Sequence, residues 1–226
     1  MKNQFFGDNK DLFTYDLILK VISKIDAITH LAIIPMLTEN DGTGHGNKVS
    51  RNKAKAGTDN KELIAFLDEC VNQDRRDIRQ LEGFFAKHAI ETTIYCGKGE
   101  YFSHERRKRY FQDIGSELLS KSLIFIDPDT GFWVKKSGKE HVLYSEVKSL
   151  YERMGKNSIL MIYQYLPRRP RQEYLNMRAE EIKEQVVGDY PICIDDDRIA
   201  FFFLTKDEAL EHSLLHIIGH YAEHYS

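Results

Sequence analysis

Two carboxylates, Asp127 and Asp129, follow a short apolar run and flank Pro128. The run, residues 123–126, is rich in β-branched side chains and too short for a helix. Pro128 ends it, because proline has no N–H to donate to a continuing strand. Ligands of doubly wound sheets bind outside the carboxyl ends of the strands. We therefore predict that Asp127, Pro128 and Asp129 form a catalytic turn. The alternative is a plain β-turn, which these residues and Gly131 also favour.

A glycine-rich loop follows the first predicted strand and is a second candidate ligand site. Glycines at alternate positions let a backbone turn tightly and approach a ligand closely. The pattern predicts contact with a nucleotide or with S-adenosylmethionine, and an exposed glycine loop is the alternative. Asp8 and Asp11, at the start of the first predicted helix, complete the candidate cofactor-binding set. Its other members are Asn40, Asp41, Gly42 and Gly44.

Carboxylates near both loops also suit a hard cation. Asp127 and Asp129 follow one predicted strand, Asp41 follows another, and Asp8 and Asp11 could approach from the first helix. Oxygen ligands of this kind bind Mg²⁺. A magnesium-dependent nuclease or phosphodiesterase is therefore an alternative function, and a set of solvated turns is the structural alternative.

Two basic runs, residues 106–109 and 168–171, are the candidate nucleic-acid contacts. Aromatic residues lie close to both, and arginines together with stacking rings suit an unpaired base or a phosphate backbone. Arg107, Arg168 and Arg169 are the predicted contacts with RNA or DNA. Solvated helix faces give the same pattern. The net charge of −3 adds no general attraction to nucleic acid.

Composition limits the classes of protein that this chain can belong to. With 226 residues, of which 42% are hydrophobic, we predict a single domain over residues 1–226, with a polar loop at residues 47–60 that we expect to be mobile. No apolar run reaches the length of a membrane helix. The first residues lack the apolar core of a signal peptide, so we expect a cytoplasmic protein. Three isolated cysteines, without a CxxC pair or an HExxH motif, predict neither disulfides nor a zinc site.

Apolar periodicity predicts an alternation of helices and strands. Helices are predicted over residues 11–28, 62–87 with a break near 72–73, 103–119, 141–154, 172–187 and 206–221, and strands over residues 31–37, 90–96, 123–126, 159–163, 191–194 and 200–204. Strands separated by helices imply crossover connections and a mostly parallel sheet, and the last two strands imply an antiparallel hairpin. The predicted fold is a three-layer, Rossmann-like α/β domain. Methyltransferase-type Rossmann domains also finish with an antiparallel pair.

Three stretches of the sequence resemble known families: residues 5–18 (FFGDNKDLFTYDLI), Asp41-Gly42, and residues 125–131 (FIDPDTG). Together they look like a family of uncharacterised bacterial and phage proteins, and this resemblance spans most of the chain. More distantly, the order of parts is similar to the large-subunit ribosomal RNA adenine-N6 methyltransferases. Those proteins also open with a Gly-x-x-x-Asp helix, and then have a strand, a glycine loop, a long polar insertion and an Asp-Pro-Pro-Tyr motif.

The second resemblance implies roles for particular residues. In that family the first Asp of the motif and a backbone carbonyl hold the target amino group, and the aromatic residue stacks on the flipped base. Asp127 and Pro128 match the first half of the motif, so Asp127 would hold the substrate amine. Residues 129–130 are Asp and Thr instead of Pro and an aromatic residue. Phe132 or Trp133 would then take the stacking role.

Three functions follow from these patterns. The first is a methyltransferase-like domain that acts on nucleic acid, with S-adenosylmethionine as the cofactor and adenine-N6 methylation as the implied reaction. The second is the magnesium-dependent nuclease or phosphodiesterase. The third is a degenerate, non-catalytic binding protein of phage or defence biology. The resembled methyltransferases hold the cofactor ribose with an acidic residue after the second strand, where this chain has Cys96-Gly97.

Overall fold

Apolar, β-branched and aromatic runs form the strands of one central sheet. The computed structural model describes residues 1–43, 49–97, 101–135 and 138–223. In chain order the strands are β1 (His30–Ile34), β2 (Glu91–Ile94), β3 (Ser122–Ile126), β4 (Gly131–Phe132), β5 (His141–Val142), β6 (Ile159–Tyr165), β7 (Ile192–Asp195) and β8 (Ile199–Thr205). Six of them belong to the central sheet, whereas β4 and β5 form a separate parallel pair.

The order of the strands creates a crevice where the parallel strands end. That order is β2-β1-β3-β6-β8-β7. Strand β1 pairs in parallel with β2 on one side and β3 on the other, and β3 pairs in parallel with β6. Strand β8 runs antiparallel to both β6 and β7. The chain moves outward from β1 to β2 and then crosses back to β3, so the strand order reverses between β1 and β3. The predicted Rossmann-like sheet and its closing hairpin are confirmed.

Helices cover both faces of this sheet. They are α1 (Asn9–Ile22), α2 (Lys61–Asn72), α3 (Gln80–Lys87), α4 (Arg107–Gln112), α5 (Tyr144–Arg153), α6 (Arg171–Ile182) and α7 (Glu208–Glu223). Alternate strand residues point to opposite faces. Leu123 and Phe125 join a core with α1, α2, α3 and α7, whereas Ile124 and Ile126 join a core with α4, α5 and α6. In the part of the chain that the structure describes, no helix is both long and apolar enough to cross a membrane.

The start of α1 brings two acidic residues to the crevice. The carboxylate of Asp8 caps the helix, because it accepts hydrogen bonds from the N–H groups of Lys10 at 2.7 Å and Asp11 at 3.1 Å. The carboxylate of Asp11 reaches back and accepts from the N–H of Gly7 at 2.7 Å. Local capping therefore explains why both acids stand at this end of the helix.

The polar loop predicted at residues 47–60 is anchored to the same helix start. Residues 47 and 48 lie outside the described part of the chain. Beyond them, the guanidinium of Arg51 donates to the carbonyl oxygens of Gly7 at 2.9 Å and Asp8 at 3.1 Å. It also donates to the carboxylate of Asp68 in α2 at 2.9 Å. Arg51 thus joins this loop to α1 and α2.

Several predicted elements differ from the structure in extent. The helix predicted over residues 103–119 is limited to α4 and a 3₁₀ turn (Ser116–Leu119), because Gly115 between them has an extended backbone. The helix predicted over residues 141–154 begins at Tyr144, because His141 and Val142 pair with β4 and Leu143 caps the helix. The predicted break near residues 72–73 is confirmed by the end of α2 at Asn72.

Candidate functional site

The turn after β3 lies at the crevice, at the predicted position. The N–H of Asp127 donates to the carbonyl of Ile34 at 2.9 Å, which continues the pairing of β1 with β3. Pro128 is buried and Asp129 is half-buried beside it. The candidate catalytic residues therefore lie at the carboxyl ends of two parallel strands, next to the point where the strand order reverses.

Gln164 of β6 fixes the backbone of this turn. Its side chain is 2% exposed, and its Oε1 accepts from the N–H of Phe132 at 3.0 Å. Its Nε2 donates to the carbonyls of Thr130 at 3.2 Å and Tyr165 at 2.7 Å. Gly131 lies directly above it with φ of +117°, and a Cβ there would stand 2.5 Å from the Gln164 amide. Only glycine fits this position without strain.

The carboxylates near the turn form an acidic cluster. The pKa of Asp127 is raised to about 7, mainly by burial and also by the carboxylates of Asp129 and Asp8, while the nearby Met1 ammonium opposes this shift. The pKa of Asp11 is raised well above its ordinary value by burial and by the carboxylate of Asp8. Such a desolvated cluster is stabilised by a ligand that donates hydrogen bonds or carries positive charge.

Two tyrosines lie close to the acidic cluster. Tyr15 of α1 is fully buried, and its hydroxyl has no hydrogen-bond partner among the residues described. Tyr163 of β6 is also buried. Burial is the main cause of the raised pKa of each hydroxyl, and the charges of Asp127, Asp8 and Asp11 raise both further. The acidic cluster therefore lies between α1 and the end of β6.

The first residues of the chain lie across the crevice. Met1 is buried, and its ammonium group donates to the carbonyl oxygen of Asp127 at 3.3 Å. The Nζ of Lys2 lies 3.1 Å from Oδ2 of Asp129 and 3.3 Å from Oδ2 of Asp41. Lys2 therefore connects the turn after β3 with the loop after β1, and this segment covers Asp127.

The glycine-rich loop contacts the same opening segment. The carboxylate of Asp41 accepts from Nε2 of Gln4 at 2.8 Å, and the N–H of Asp41 donates to Oε1 of Gln4 at 2.8 Å. Oδ1 of Asn40 accepts from the N–H of Gln4 at 3.0 Å. Gly42 is exposed, with φ of +69° and open space around it. Gly44 lies outside the described residues. The described part of this loop thus borders the crevice and binds the chain's own first residues.

A separate cavity of about 260 Å³ lies beyond the carboxyl end of β2. The rings of Tyr95, Phe102 and Tyr110 line it, and the hydroxyls of the two tyrosines each donate to the other residue's carbonyl, at 2.9 and 3.0 Å. The N–H of Phe102 donates to the carbonyl of Leu37 at 2.7 Å. That bond connects the cavity to the chain that leaves β1, so the cavity and Asp127 lie on opposite sides of the β1 end.

No protein-family model and no curated protein matches this chain. The resemblances drawn from its motifs therefore stay predictions. The roles of its residues are inferred from their own geometry.

Two of the predicted substrate contacts are packed inside the protein. The guanidinium of Arg107 pairs with the carboxylate of Glu146, with Nε to Oε1 at 2.6 Å and Nη2 to Oε2 at 3.0 Å, and both side chains are buried. Phe132 is 1% exposed and stacks on Tyr144, with ring centroids 4.7 Å apart. Neither Arg107 nor Phe132 presents its side chain to a macromolecular ligand.

The other predicted contacts are on the surface. Trp133 is 41% exposed, and Tyr165, at the end of β6, is 43% exposed. Arg168 and Arg169 follow β6 and are exposed, and neither forms a side-chain hydrogen bond or ion pair with the described residues. The Nζ of Lys10 lies 5.3 Å from the centroid of the Tyr165 ring. Aromatic and cationic groups therefore surround the turn that carries Asp127.

Metal binding was the alternative use of the acidic residues. Within residues 1–43, 49–97, 101–135 and 138–223, no three His, Cys, Asp or Glu side chains converge in a way that could hold a metal ion. His212, His216 and His220 recur along α7, whose buried residues pack in the core shared with α1, α2 and α3. The carboxylates at the crevice instead contact Lys2 and the N–H groups of α1.

Proposed function

We propose that this chain is a Rossmann-like methyltransferase that transfers a methyl group from S-adenosylmethionine to an amino group of RNA or DNA. The supporting observation is the buried carboxyl group of Asp127 at the carboxyl end of β3, beside the reversal of strand order where ligands of such sheets bind. The antiparallel pair β7–β8, which closes the sheet, is also typical of methyltransferase-type Rossmann domains.

Asp127 would hold the target amino group. A carboxylate in a desolvated site accepts a hydrogen bond from an N–H donor more strongly than it does in water. The ionised form provides this acceptor, and the pKa of Asp127 is raised to about 7, so the interaction should strengthen as the pH rises through neutrality. A base amino group can reach this depth only if the base leaves its stack.

The cavity beyond β2 suits the adenosine part of the cofactor. Its three rings give an apolar lining, and Arg106 and Asp113 add polar groups at the edge. The Asp113 carboxylate would accept hydrogen bonds from ribose hydroxyls, as the acidic residue after the second strand does in the resembled family. The cofactor itself supplies a methyl group on a positively charged sulfur, and the acidic cluster beside Asp127 favours that charge.

Access to Asp127 requires the first residues of the chain to move. Lys2 holds this segment through its ion pairs with Asp129 and Asp41, in which all three side chains are partly exposed. Ion pairs of this kind are weak because water competes for both charges. These two ion pairs can therefore be displaced by a ligand that offers the acidic cluster a better hydrogen-bond donor, and the hydrogen bonds of Met1 and Gln4 must open with them.

Two measurements test the proposed function. Isothermal titration calorimetry with S-adenosylmethionine and with its demethylated product measures cofactor binding, and transfer of a radiolabelled methyl group to RNA or DNA measures the reaction. We expect wild-type protein to bind and transfer, and Asp127→Asn to bind without transferring. Asp26→Asn, which changes an exposed carboxylate after α1, is the matched control and should keep both properties.

Two results would contradict the proposal. If the wild-type protein neither binds the cofactor nor transfers a methyl group, the proposed methyltransferase function is refuted. Full methyl transfer by Asp127→Asn would instead show that the Asp127 carboxylate takes no part in the reaction and that its burial is a purely structural property.

A further inference from the structure

We propose that Tyr165 is the stacking platform for the target base, and that the nucleic acid presented to Asp127 is single-stranded. This inference rests on the proposed function and specifies its substrate. It starts from positions 130 and 132 of the turn, neither of which offers an accessible ring; the exposed ring of Trp133, one residue further on, is the alternative platform, and it predicts wild-type affinity in Tyr165→Ala. Thr130 has no ring, and Phe132 is buried against Tyr144.

Tyr165 is held at a fixed position beside the turn. Its N–H donates to the carbonyl of Thr130 at 3.0 Å, and its own carbonyl accepts from Nε2 of Gln164 at 2.7 Å. The same Gln164 amide holds Thr130 and Phe132. The backbone of Tyr165 therefore belongs to the same rigid unit as the turn after Asp127, while its ring is 43% exposed. An exposed ring on a rigid backbone is what base stacking requires.

The charges around this ring favour the phosphate and the base of a nucleotide at different places. Lys10, Arg168 and Arg169 are cationic and lie on the outer side, at the start of α1 and after β6. Phosphates would bind there, whereas the acidic cluster with Asp127 repels phosphate and accepts base amino groups. A base that reaches Tyr165 and Asp127 must leave its stack and its pair, which costs free energy in a duplex and little in a single strand, so single-stranded nucleic acid is favoured over double-stranded.

The chain contains a reporter for this surface. Trp133 is its only tryptophan, it is exposed, and it lies on the turn that Gln164 holds. Its fluorescence should therefore change when an oligonucleotide binds. Titration of short, fluorescein-labelled single strands of RNA and DNA, and of the matching duplexes, can be followed by Trp133 fluorescence and by anisotropy without any cofactor.

We expect single strands to bind more tightly than duplexes and to quench Trp133. Tyr165→Ala should weaken single-strand binding by roughly 5- to 140-fold, the range for loss of one stacked base. Tyr165→Phe keeps the ring and should keep the affinity. Tyr190→Ala is the matched control: Tyr190 is also exposed and also lies under a lysine, with Nζ of Lys183 3.9 Å from its centroid, but it precedes β7.

A second pair of variants tests the phosphate contacts. Arg168→Ser combined with Arg169→Ser should reduce the slope of log affinity against log salt by about 1.4, because each phosphate contact to a single strand contributes about 0.7. Lys20→Ala combined with Lys24→Ala removes the same charge from exposed positions near the other end of α1 and should leave the slope unchanged.

Three results would overturn the inference: wild-type affinity in Tyr165→Ala, duplex binding as tight as single-strand binding, or no binding of any oligonucleotide. An equal loss in Tyr165→Phe and Tyr165→Ala would also overturn it, because the ring would then not be the cause. Calorimetric binding of S-adenosylmethionine is measured independently. If it persists while Tyr165→Ala binds normally, the stacking role fails and the proposed function stands.

Discussion

Replacing Asp127 with asparagine should make the protein more stable at neutral and alkaline pH. The pKa of Asp127 is raised to about 7 in the folded protein, against about 3.9 in an unfolded chain. A difference of about 3 pKa units corresponds to about 4 kcal/mol of unfolding free energy. Whole domains are stabilised by only about 5–15 kcal/mol. Asparagine has nearly the same shape and no charge, so the variant avoids this cost.

The sign of the pH dependence follows from the direction of the shift. Below about pH 4 the Asp127 carboxyl group is protonated in both states, and its burial costs little. Between about pH 4 and 7 the unfolded chain has lost this proton while the folded protein keeps it, so stability falls as the pH rises. Above pH 7 both states are ionised and the full cost applies. Asp11, whose pKa is also raised, acts in the same direction and is present in both proteins.

Urea unfolding followed by circular dichroism from pH 4 to 9 measures this effect. The difference in unfolding free energy between variant and wild type should widen by roughly 3 to 4 kcal/mol between pH 4 and 8, or by roughly 10 °C in thermal midpoint. Asp26→Asn, at an exposed position, should give a constant difference. A constant difference for Asp127→Asn would refute the reasoning. A difference that narrows as the pH rises would mean that a positive group stabilises the ionised form.

Three other changes, one of them with a matched control at Gly83, test contacts described above. Gly131→Ala should destabilise the protein by more than about 1 kcal/mol in urea unfolding, because φ is +117° and the new Cβ meets a buried amide. Gly83→Ala in α3, where no atom lies within 4 Å, should instead stabilise it by up to about 1 kcal/mol. Arg107→Met should cost about 3 to 5 kcal/mol in the same assay, because the Glu146 carboxylate then stays buried without its partner. Lys2→Ala should speed hydrogen exchange in the first residues and increase cofactor affinity in calorimetry, because both of its ion pairs are lost.

For each of these predictions, a particular result would contradict the reasoning. Similar effects of the two glycine changes would show that the left-handed backbone and the contact at Gly131 are not restrictive. Restored stability on adding Glu146→Leu to Arg107→Met is expected, and its absence would place the cost elsewhere than in the orphaned carboxylate. Lys2→Arg keeps the charge and is the control for Lys2→Ala; equal exchange rates in these two variants would mean that the ion pairs do not hold the segment.

Much of the fold could be predicted because its strands are apolar runs of the right length, separated by amphipathic helices. Residues 123–126 and 159–163 are examples, and residues 123–126 pair in parallel with residues 159–162. The two-residue strands β4 and β5 could not be predicted, because they are too short to show alternation. The interruption of the helix predicted over residues 103–119 could not be predicted for a similar reason. A single residue with an extended backbone, Gly115, leaves no periodic signal.

The place of the candidate site was predictable, and the residues that organise it were not. The position of Asp127 at the end of β3 was predictable, because Pro128 ends the apolar run that precedes it. Arg107 was predicted on a basic surface, but its side chain turns inward to a carboxylate 39 residues away, and such pairing leaves no local pattern. Lys2 and Gln164 also act through residues distant in the chain. Tertiary contacts of single polar residues therefore limit what sequence patterns reveal about this site.

The hydrogen bonds of the Gln164 side chain to the turn have a consequence for the order of folding. The residues that they join, Phe132 and Gln164, are 32 positions apart, so the turn can take its final shape only after β6 has paired with β3. A nascent chain that ends before β6 can form β1, β2 and β3 but cannot hold Thr130 and Phe132 in place. Asp127 is therefore synthesised before the residues that hold its turn in place. The turn takes its final shape late in folding, when β6 joins the sheet beside β3.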